Sequence, residues 1–542
     1  MKKLTRKTAP YILLSLASVL IWCGLYGKAS LASWGVPVVY SGESLVGFGM
    51  IRGMMDGHSF GSGLLSVDRL NAPFAGQWEY WPMSEDFGVW LLGAAAQVLG
   101  LFEALNLFLL GSTVLSAGAF FYAARQTQVA TALGMVGALI FAFSPFVGQQ
   151  LSAGALPLVV IWPLPLMVLS IHWLNSHHFL LDDNWQLIFL VALALVVGAW
   201  QPVFGLIYCQ LLLLTLIANG LTGYKRKAQL CGLMIFLVFL VSRLLNSSTF
   251  RLPKITPTSD TSLELSHLVI PGQPGYLGVI GVLALCALVF ESIYLVLKKK
   301  SGQLNILAAM AGWVFLVGTT GGLGAMLATA GFPLAGFTGP YSALILVIGL
   351  LYFFIRLSRF FKAKKSWAAA AVLLLVAGAE VYCVANHRPD VALLVQQDQA
   401  FGRALEQALP KGSSVFQLPA TAPPKSAPYL GVPVGMGQFE PLRPYLFTQD
   451  LKFSFPPNVS QGWESWKLQA DSLGAPELIQ QLQRQGFQGL VIHWTAYPDF
   501  AGILISDLRE LGYKQIKTAL PNRSMIAFDI TKKELPKTPA SP

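Results

Sequence analysis

Glu43 comes directly after the first hydrophobic segment and heads the stretch Val39 to Asp86, the long polar interruption in the first half of the chain. The same stretch carries Asp56, Asp68, Glu79, Glu85 and Asp86 against Arg52, Arg69 and His58, interleaved with Trp78, Tyr80 and Trp81. A carboxylate in such a loop can act as a general base. The neighbours Glu85 and Asp86 can share one divalent cation such as Mg or Mn only from a loop, and as surface carboxylates they would equally suit the start of a helix. An Asp-Gly turn after a helix accounts for Asp56 and His58 without chemistry. A second polar excursion, residues 246 to 274, offers Arg251, Lys254, Asp260, Glu264 and His267, with Arg243 just before it. Glu264 and His267 stand i, i+3, on one helical face, as a metal-binding pair or a surface hydrogen bond.

The elements that must position these residues are hydrophobic. From Glu43, residues Val46, Met50, Met54 and Met55 fall near helical spacing, so a short amphipathic helix is expected to lie on a membrane surface. Asn71-Ala-Pro73 breaks it, and Trp78, Tyr80 and Trp81 are rings that a membrane–water interface attracts. Hydrophobic residues make up 54% of the 542, charged residues only 12%, and mean hydropathy is +0.58. A water-soluble protein of this size is thereby excluded.

Each hydrocarbon crossing needs about 20 apolar residues, because lipid satisfies no backbone polar group. The chain offers about eleven such windows, near 10–29, 102–124, 128–146, 154–173, 185–200, 203–221, 229–245, 275–297, 304–320, 339–357 and 367–385. With the N-terminus inside, inner loops and span ends hold sixteen lysines and arginines, against six outside (Lys28, Arg52, Arg69, Arg243, Arg251, Lys254). That bias sets the N-terminus in the cytoplasm and the C-terminal part outside, and it explains the net charge of +11 without nucleic acid. Segment 87–100 is apolar but short, a surface or re-entrant helix leading into the second span. Gly318 to Gly339, glycine-rich and uncharged, suits backbone lining a cavity. The five cysteines, Cys23, Cys209, Cys231, Cys286 and Cys383, show no metal-ligand spacing and read as small core residues.

After Arg388 the composition changes. Helical periodicity over Val391–Leu409, Ala475–Gln485 and Phe500–Leu511 alternates with strand-like Ser414–Leu418, Gly489–His493 and Ser524–Asp529. The expected architecture is a mainly α polytopic membrane protein of about eleven transmembrane helices, residues 1–388 with outer loops 34–101 and 246–274. A small C-terminal extracytoplasmic α/β domain follows at 389–531, and then a disordered tail at 532–542.

Several short motifs resemble those of bacterial integral-membrane glycosyltransferases of the GT-C type, including the YfhO-like or sugar translocase group. They are Tyr40-Ser-Gly-Glu43, Leu70-Asn-Ala-Pro-Phe74, Trp81-Pro-Met-Ser-Glu-Asp86, Asn106-Leu-Phe108, Phe141-Ala-Phe-Ser-Pro-Phe146, Tyr276-Leu-Gly278 and the Leu490–His493 strand. Relatives usually carry Gly-Asp where this sequence has Gly42-Glu43, so the carboxylate here is one methylene longer.

The resemblance implies transfer of a sugar from a polyprenyl-phosphate donor to a glycan, lipid or protein acceptor on the outer side of a bacterial plasma membrane. It implies Glu43 as first choice for the base, with Glu85 and Asp86 beside it as catalytic or metal-binding candidates. The phosphate would fall to Arg243 and Arg251, with Arg52 and Lys254 behind them, since arginine forks grip phosphate in bidentate fashion. Asp56, His58, Trp81, Glu264 and His267 complete the substrate-binding candidates, the ring stacking on a sugar face. The site would lie between the first loop, the 246–274 loop and the C-terminal domain. No nucleotide cofactor is expected, since no nucleotide-binding fingerprint occurs. Glu380, near the end of the last span, is costly in hydrocarbon unless it reaches the interface. A transporter or flippase of lipid-linked sugars is the first alternative, disfavoured by the few charges within spans and the lack of an evident repeat. A non-catalytic envelope assembly protein is the second.

Overall fold

A computed structural model describes residues 2–57, 66–78, 86–176, 184–246, 264–273, 275–298, 306–319, 322–329, 339–361, 363–385, 391–420, 436–456, 465–496 and 500–531. The chain divides into two compact units: Met1–Val38, Pro82–Gly88 and Phe102–Pro389 form the first, and Val39–Trp81, Val89–Leu101 and Asp390–Pro542 the second. The first loop therefore groups with the C-terminal part, whereas its sequence neighbours suggested the membrane part.

In the first unit a helix occupies every one of the apolar windows. Among the described residues seven helices are long and apolar enough to cross a membrane by length and composition. They include Leu101–Gln126, Pro202–Leu221, Val279–Leu297 and Tyr341–Phe360. Pro163–Asn175 and Ile306–Gly318 have 13 residues each, about 20 Å of helix, less than the hydrocarbon thickness. Proline opens the helices Pro145–Ala153, Pro163–Asn175 and Pro202–Leu221, where its missing N–H costs nothing. Glycine permits the closest approaches: a Cβ at Gly198 would stand 2.6 Å from the carbonyl oxygen of Val238. Side chains satisfy one another inside the bundle, as with Ser170 and Tyr208 at 2.8 Å and the Tyr341 hydroxyl on Gln210 at 2.9 Å.

The second unit is built on a five-stranded sheet in the order Lys452–Phe453, Ser414–Leu418, Phe487–His493, Met525–Asp529, Lys514–Gln515. The first three strands run parallel and the last two pair antiparallel. Helices Ala475–Arg484 and Phe500–Glu510 bury Leu478, Ile479, Leu482, Leu504 and Leu508 with Phe416, Leu490 and Phe528 of the sheet. The long central strands and these helices lie where the residue pattern placed them. The two-residue edge strands are too short to leave a periodic signal.

The first loop adds a further strand segment to this sheet. Ala72 N–H donates to the Phe453 carbonyl at 2.9 Å, Phe453 N–H to the Arg69 carbonyl at 2.8 Å, and Asn71 N–H to the Phe455 carbonyl at 2.9 Å. Leu70-Asn-Ala-Pro-Phe74 is thus an edge cover for the sheet.

The helix Ser44–Met55 corrects an expectation. It does not present one apolar stripe to a membrane surface: nine of its residues are buried, on all sides. Its glycines are the reason, since a Cβ at Gly49 would meet Trp78 at 3.2 Å and Leu442 at 3.8 Å. Trp78 is correspondingly 2% exposed, a core residue rather than an interfacial anchor.

Candidate active site

Within the second unit, the turn Ser41-Gly42-Glu43 joins two fixed points. Behind it Ser44 is fully buried, and its hydroxyl donates to the Ser41 carbonyl at 2.6 Å while accepting from Ser41 N–H at 3.2 Å. Gly42 has φ +59°, a left-handed conformation that glycine takes freely. Ahead of it Tyr40 is buried, its ring under the Arg443 guanidinium at 5.4 Å and its hydroxyl donating to Asp398 Oδ2 at 2.9 Å.

Glu43 occupies the N-cap position of Ser44–Met55 but makes no capping hydrogen bond. The residue is exposed, while the protein packed round its carboxyl excludes enough water to raise its pKa above the ordinary carboxylate value. Partly shielded from water and carrying no side-chain hydrogen bond or ion pair among the described residues, it is able to accept a proton.

Arg52 and Asp56 are brought together, though for another purpose. Asp56 pairs with Arg52 at 3.3 Å and with Arg69 at 2.7 Å. Arg69 continues to the Thr448 carbonyl at 2.7 Å, its hydroxyl at 2.8 Å and the Leu451 carbonyl at 3.0 Å, and Arg52 reaches the Thr448 carbonyl at 3.1 Å. This fork fastens the first loop to the C-terminal chain. Arg52 and Asp56, read from the sequence as substrate contacts, thus have protein partners in this fork.

In the first unit Asp86 begins the helix Asp86–Leu99 and is 4% exposed. The next residue, Phe87, donates its N–H to Asn246 Oδ1 at 3.4 Å, and Asn246 in turn donates to the carbonyls of Gly198 at 3.3 Å and Ala199 at 2.9 Å. The end of the first polar loop and the start of the second therefore meet. Arg243 stands in the last turn of the helix Lys225–Leu245 that leads to Asn246. Glu264 and His267 form the expected i, i+3 pair at 3.6 Å beside the helix Leu265–Val269, with Ser266 on the same carboxylate at 3.2 Å. His58, Trp81, Glu85, Arg251 and Lys254 lie outside the described residues. Among the described residues no three His, Cys, Asp or Glu side chains converge as a metal site. Asp86 therefore has no such companion ligands among the described residues, and its sequence neighbour Glu85 lies outside them.

Other motif residues prove to hold backbone. Asn106 donates to the Trp34 and Val36 carbonyls at 2.7 and 2.8 Å, and buried Lys28 donates to the Ser33 carbonyl at 2.7 Å and to that of Val36. Burial pulls the Lys28 pKa down to about 8. Glu380 receives the Val279 N–H on both oxygens at 3.2 Å, capping the helix Val279–Leu297. Gly278, with φ +81°, makes room, since a Cβ there would lie 3.1 Å from Glu380 Oε2 and from Pro145 Cδ. Tyr276-Leu-Gly278 and the Ser144-Pro145 break thereby meet at Gly278.

Sequence reading missed Asp398, Arg443 and Arg69. Asp398 carried a usable signal: it sits in register with Val395, Phe401 and Leu405 on the buried stripe of helix Val391–Ala408. A carboxylate on an apolar stripe must find partners. Burial raises its pKa, with Arg443, Asn522 and Tyr40 pulling the other way.

No family model and no curated protein matches the sequence. Solved structures do. The arabinofuranosyltransferase AftD from Mycobacteria aligns with a TM-score of 0.57 at 14% identity over 97% of this chain, which spans 42% of the AftD chain. ArnT from Cupriavidus metallidurans, bound to undecaprenyl phosphate, aligns with a TM-score of 0.56 at 12% identity over 97% of this chain and 98% of that one. The chain shares its overall fold with both of these solved structures. An Archaeoglobus fulgidus oligosaccharyltransferase tethered to an acceptor peptide aligns with a TM-score of 0.50 at 12% identity over 98% of this chain and 75% of that one.

Proposed function

We propose that this chain is a glycosyltransferase that moves a sugar from a polyprenyl-phosphate carrier to a hydroxyl of a glycan, lipid or protein, with Glu43 as general base. The observation that carries the reading is the carboxyl of Glu43, without a side-chain partner among the described residues and set on a turn held at both ends. The chain around it shares its fold with ArnT, which was captured with undecaprenyl phosphate.

In the reaction Glu43 takes the proton of the acceptor hydroxyl as its oxygen bonds to the anomeric carbon. The bond from that carbon to the phosphate oxygen breaks, and the lipid phosphate leaves with the electron pair. One direct displacement of this kind inverts the anomeric centre. Arg243, Arg251 and Lys254 are the cations assigned to the departing phosphate, whose developing charge they would offset. The lysine and arginine bias supports a plasma-membrane protein with a cytoplasmic N-terminus and the C-terminal domain outside. A divalent cation at Glu85 and Asp86 is a separate proposal, tested by turnover after chelation: lost activity restored by Mg or Mn supports it, full activity removes it.

The test is incubation of purified protein with a panel of polyprenyl-phosphate sugars and acceptors, comparing the parent with Glu43→Gln and Asp86→Asn. The expected result is turnover by the parent and a loss of ~10²- to 10⁴-fold in Glu43→Gln. Full turnover by Glu43→Gln overturns the assignment of the base.

A further inference from the structure

We propose that Asp398, in the C-terminal part of the chain, is a positioning residue for Glu43 and acts through Tyr40. The inference rests on the reading of Glu43 as the base. Tyr40 stands three residues ahead of Glu43, and the intervening Ser41 and Gly42 are exposed. The place of the carboxyl is therefore set by the two ends of the turn. One end is the buried helix Ser44–Met55. The other is Tyr40, and its hydroxyl has Asp398 as acceptor at 2.9 Å.

Asp398 is itself held at both carboxyl oxygens. It is fully buried, and its second oxygen receives the Asn522 amide at 2.8 Å. Asn522 is fixed in turn by accepting the N–H groups of Ser524 and Met525 at 2.9 Å each. Arg443 supplies the counter-charge, with Nε at 3.8 Å from Asp398 and Nη2 held by Glu440 at 2.9 Å. Phe48 and Phe447 flank the Tyr40 ring, with centroids at 6.4 and 6.5 Å.

Adhesion alone does not explain the arrangement. The fork of Arg52, Asp56 and Arg69 on Thr448 already joins this loop to the C-terminal chain at the far end of the same helix. A buried carboxylate is a costly adhesive that apolar packing replaces at little loss. What Asp398 adds is direction: it fixes one oxygen atom, three residues from the proposed base. A misplacement of about 1 Å at a reacting group costs on the order of 10²-fold in rate.

The test uses the full-length protein with two readouts. Tyr40→Phe removes a single oxygen and keeps the ring packed; Asp398→Ala removes the acceptor, and Asp398→Asn restores one. Tyr40→Phe and Asp398→Ala are expected to lower kcat by ~10- to 100-fold, with KM for the donor within about twofold, and Asp398→Asn to recover most of it. The double variant should be no slower than Asp398→Ala. Amide exchange of residues 41–47 should quicken by about tenfold in Tyr40→Phe while residues 50–55 stay protected. Parental kcat and parental exchange in Tyr40→Phe, with Glu43→Gln inactive, overturn the positioning role and leave the base in place. Full turnover in Glu43→Gln overturns both readings.

Discussion

Arg69 donates through Nη2 to the carbonyl oxygen of Thr448 over 2.7 Å, although 379 residues separate the two. The same guanidinium binds Asp56 and Leu451 and lies 4.7 Å over the Tyr445 ring, so one side chain ties the first loop to the C-terminal part of the chain at several points. Its replacement takes the donor from the Leu451 carbonyl and leaves Asp56 and the Thr448 carbonyl to Arg52 alone.

Arg69→Met should therefore destabilise the protein by about 3 to 5 kcal/mol, the range for breaking one side of a buried pair. Asp56→Asn should cost less, because Arg69 keeps both carbonyls. In the double variant the losses should fall short of additive, since each change removes part of the same network. Thermal unfolding in detergent measures all three. A melting temperature for Arg69→Met within about 2 °C of the parent would show that the fork contributes little.

His493 is fully buried on the central strand, and neither ring nitrogen has a partner among the described residues. Burial first, and the charge of Arg443 second, lower its pKa to about 3 from 6.5. The native state thus holds this imidazole neutral while the unfolded chain protonates it. The resulting stability is complete above pH 6.5 and lost as pH falls toward 3, on the order of 5 kcal/mol at the limit. Asp398 acts in the opposite sense, since a raised carboxyl pKa favours the folded state at low pH. His493→Leu should flatten the acid-side decline in melting temperature. An unchanged slope between pH 6.5 and 4 would assign the decline to other groups.

Glu43 makes a separate prediction about rate. Its pKa is raised by desolvation, so the acid limb of kcat/KM should lie above the ordinary carboxylate value of 4.5, with rate rising as pH rises. Glu43→Asp should keep a limb and lose rate, the carboxyl being one methylene short. Glu43→Gln should abolish the limb. A limb that survives unchanged in Glu43→Gln belongs to another group.

How far the residues announced this structure depends on the range of the interactions involved. Helices and long strands are encoded by local periodicity, and each apolar window from Lys2 to Ala385 carries its helix. The position of Glu43 after the first span was equally local. The partners of the loop were not. Arg52 and Asp56 look like ligand-binding residues when read alone, because the carbonyl of Thr448 that occupies Arg52 lies 396 residues away. Trp78 reads as an interfacial ring until Gly49 is seen to leave a groove for it. Glycine marks a close approach without naming the partner. The long-range half of the fold is therefore written in glycines and buried carboxylates whose meaning appears only with the contacts.

Gly137 allows that point to be tested inside the membrane part. It lies on the helix Thr131–Ala142, and a Cβ there would stand 2.7 Å from Phe354 Cε2 and 2.9 Å from Phe120 Cε1. Both rings are fully buried, so neither has open space to turn into. Gly137→Ala improves intrinsic helix propensity by about 1 kcal/mol yet should destabilise the protein by about 1 to 3 kcal/mol, because overpacking outweighs propensity. Phe354→Leu alone leaves a void and should also destabilise. Combined with Gly137→Ala, the smaller side chain makes room for the new methyl group, and the double variant should melt above Gly137→Ala. Additive losses in the double variant would show that the helices Thr131–Ala142 and Tyr341–Phe360 do not meet through this pair.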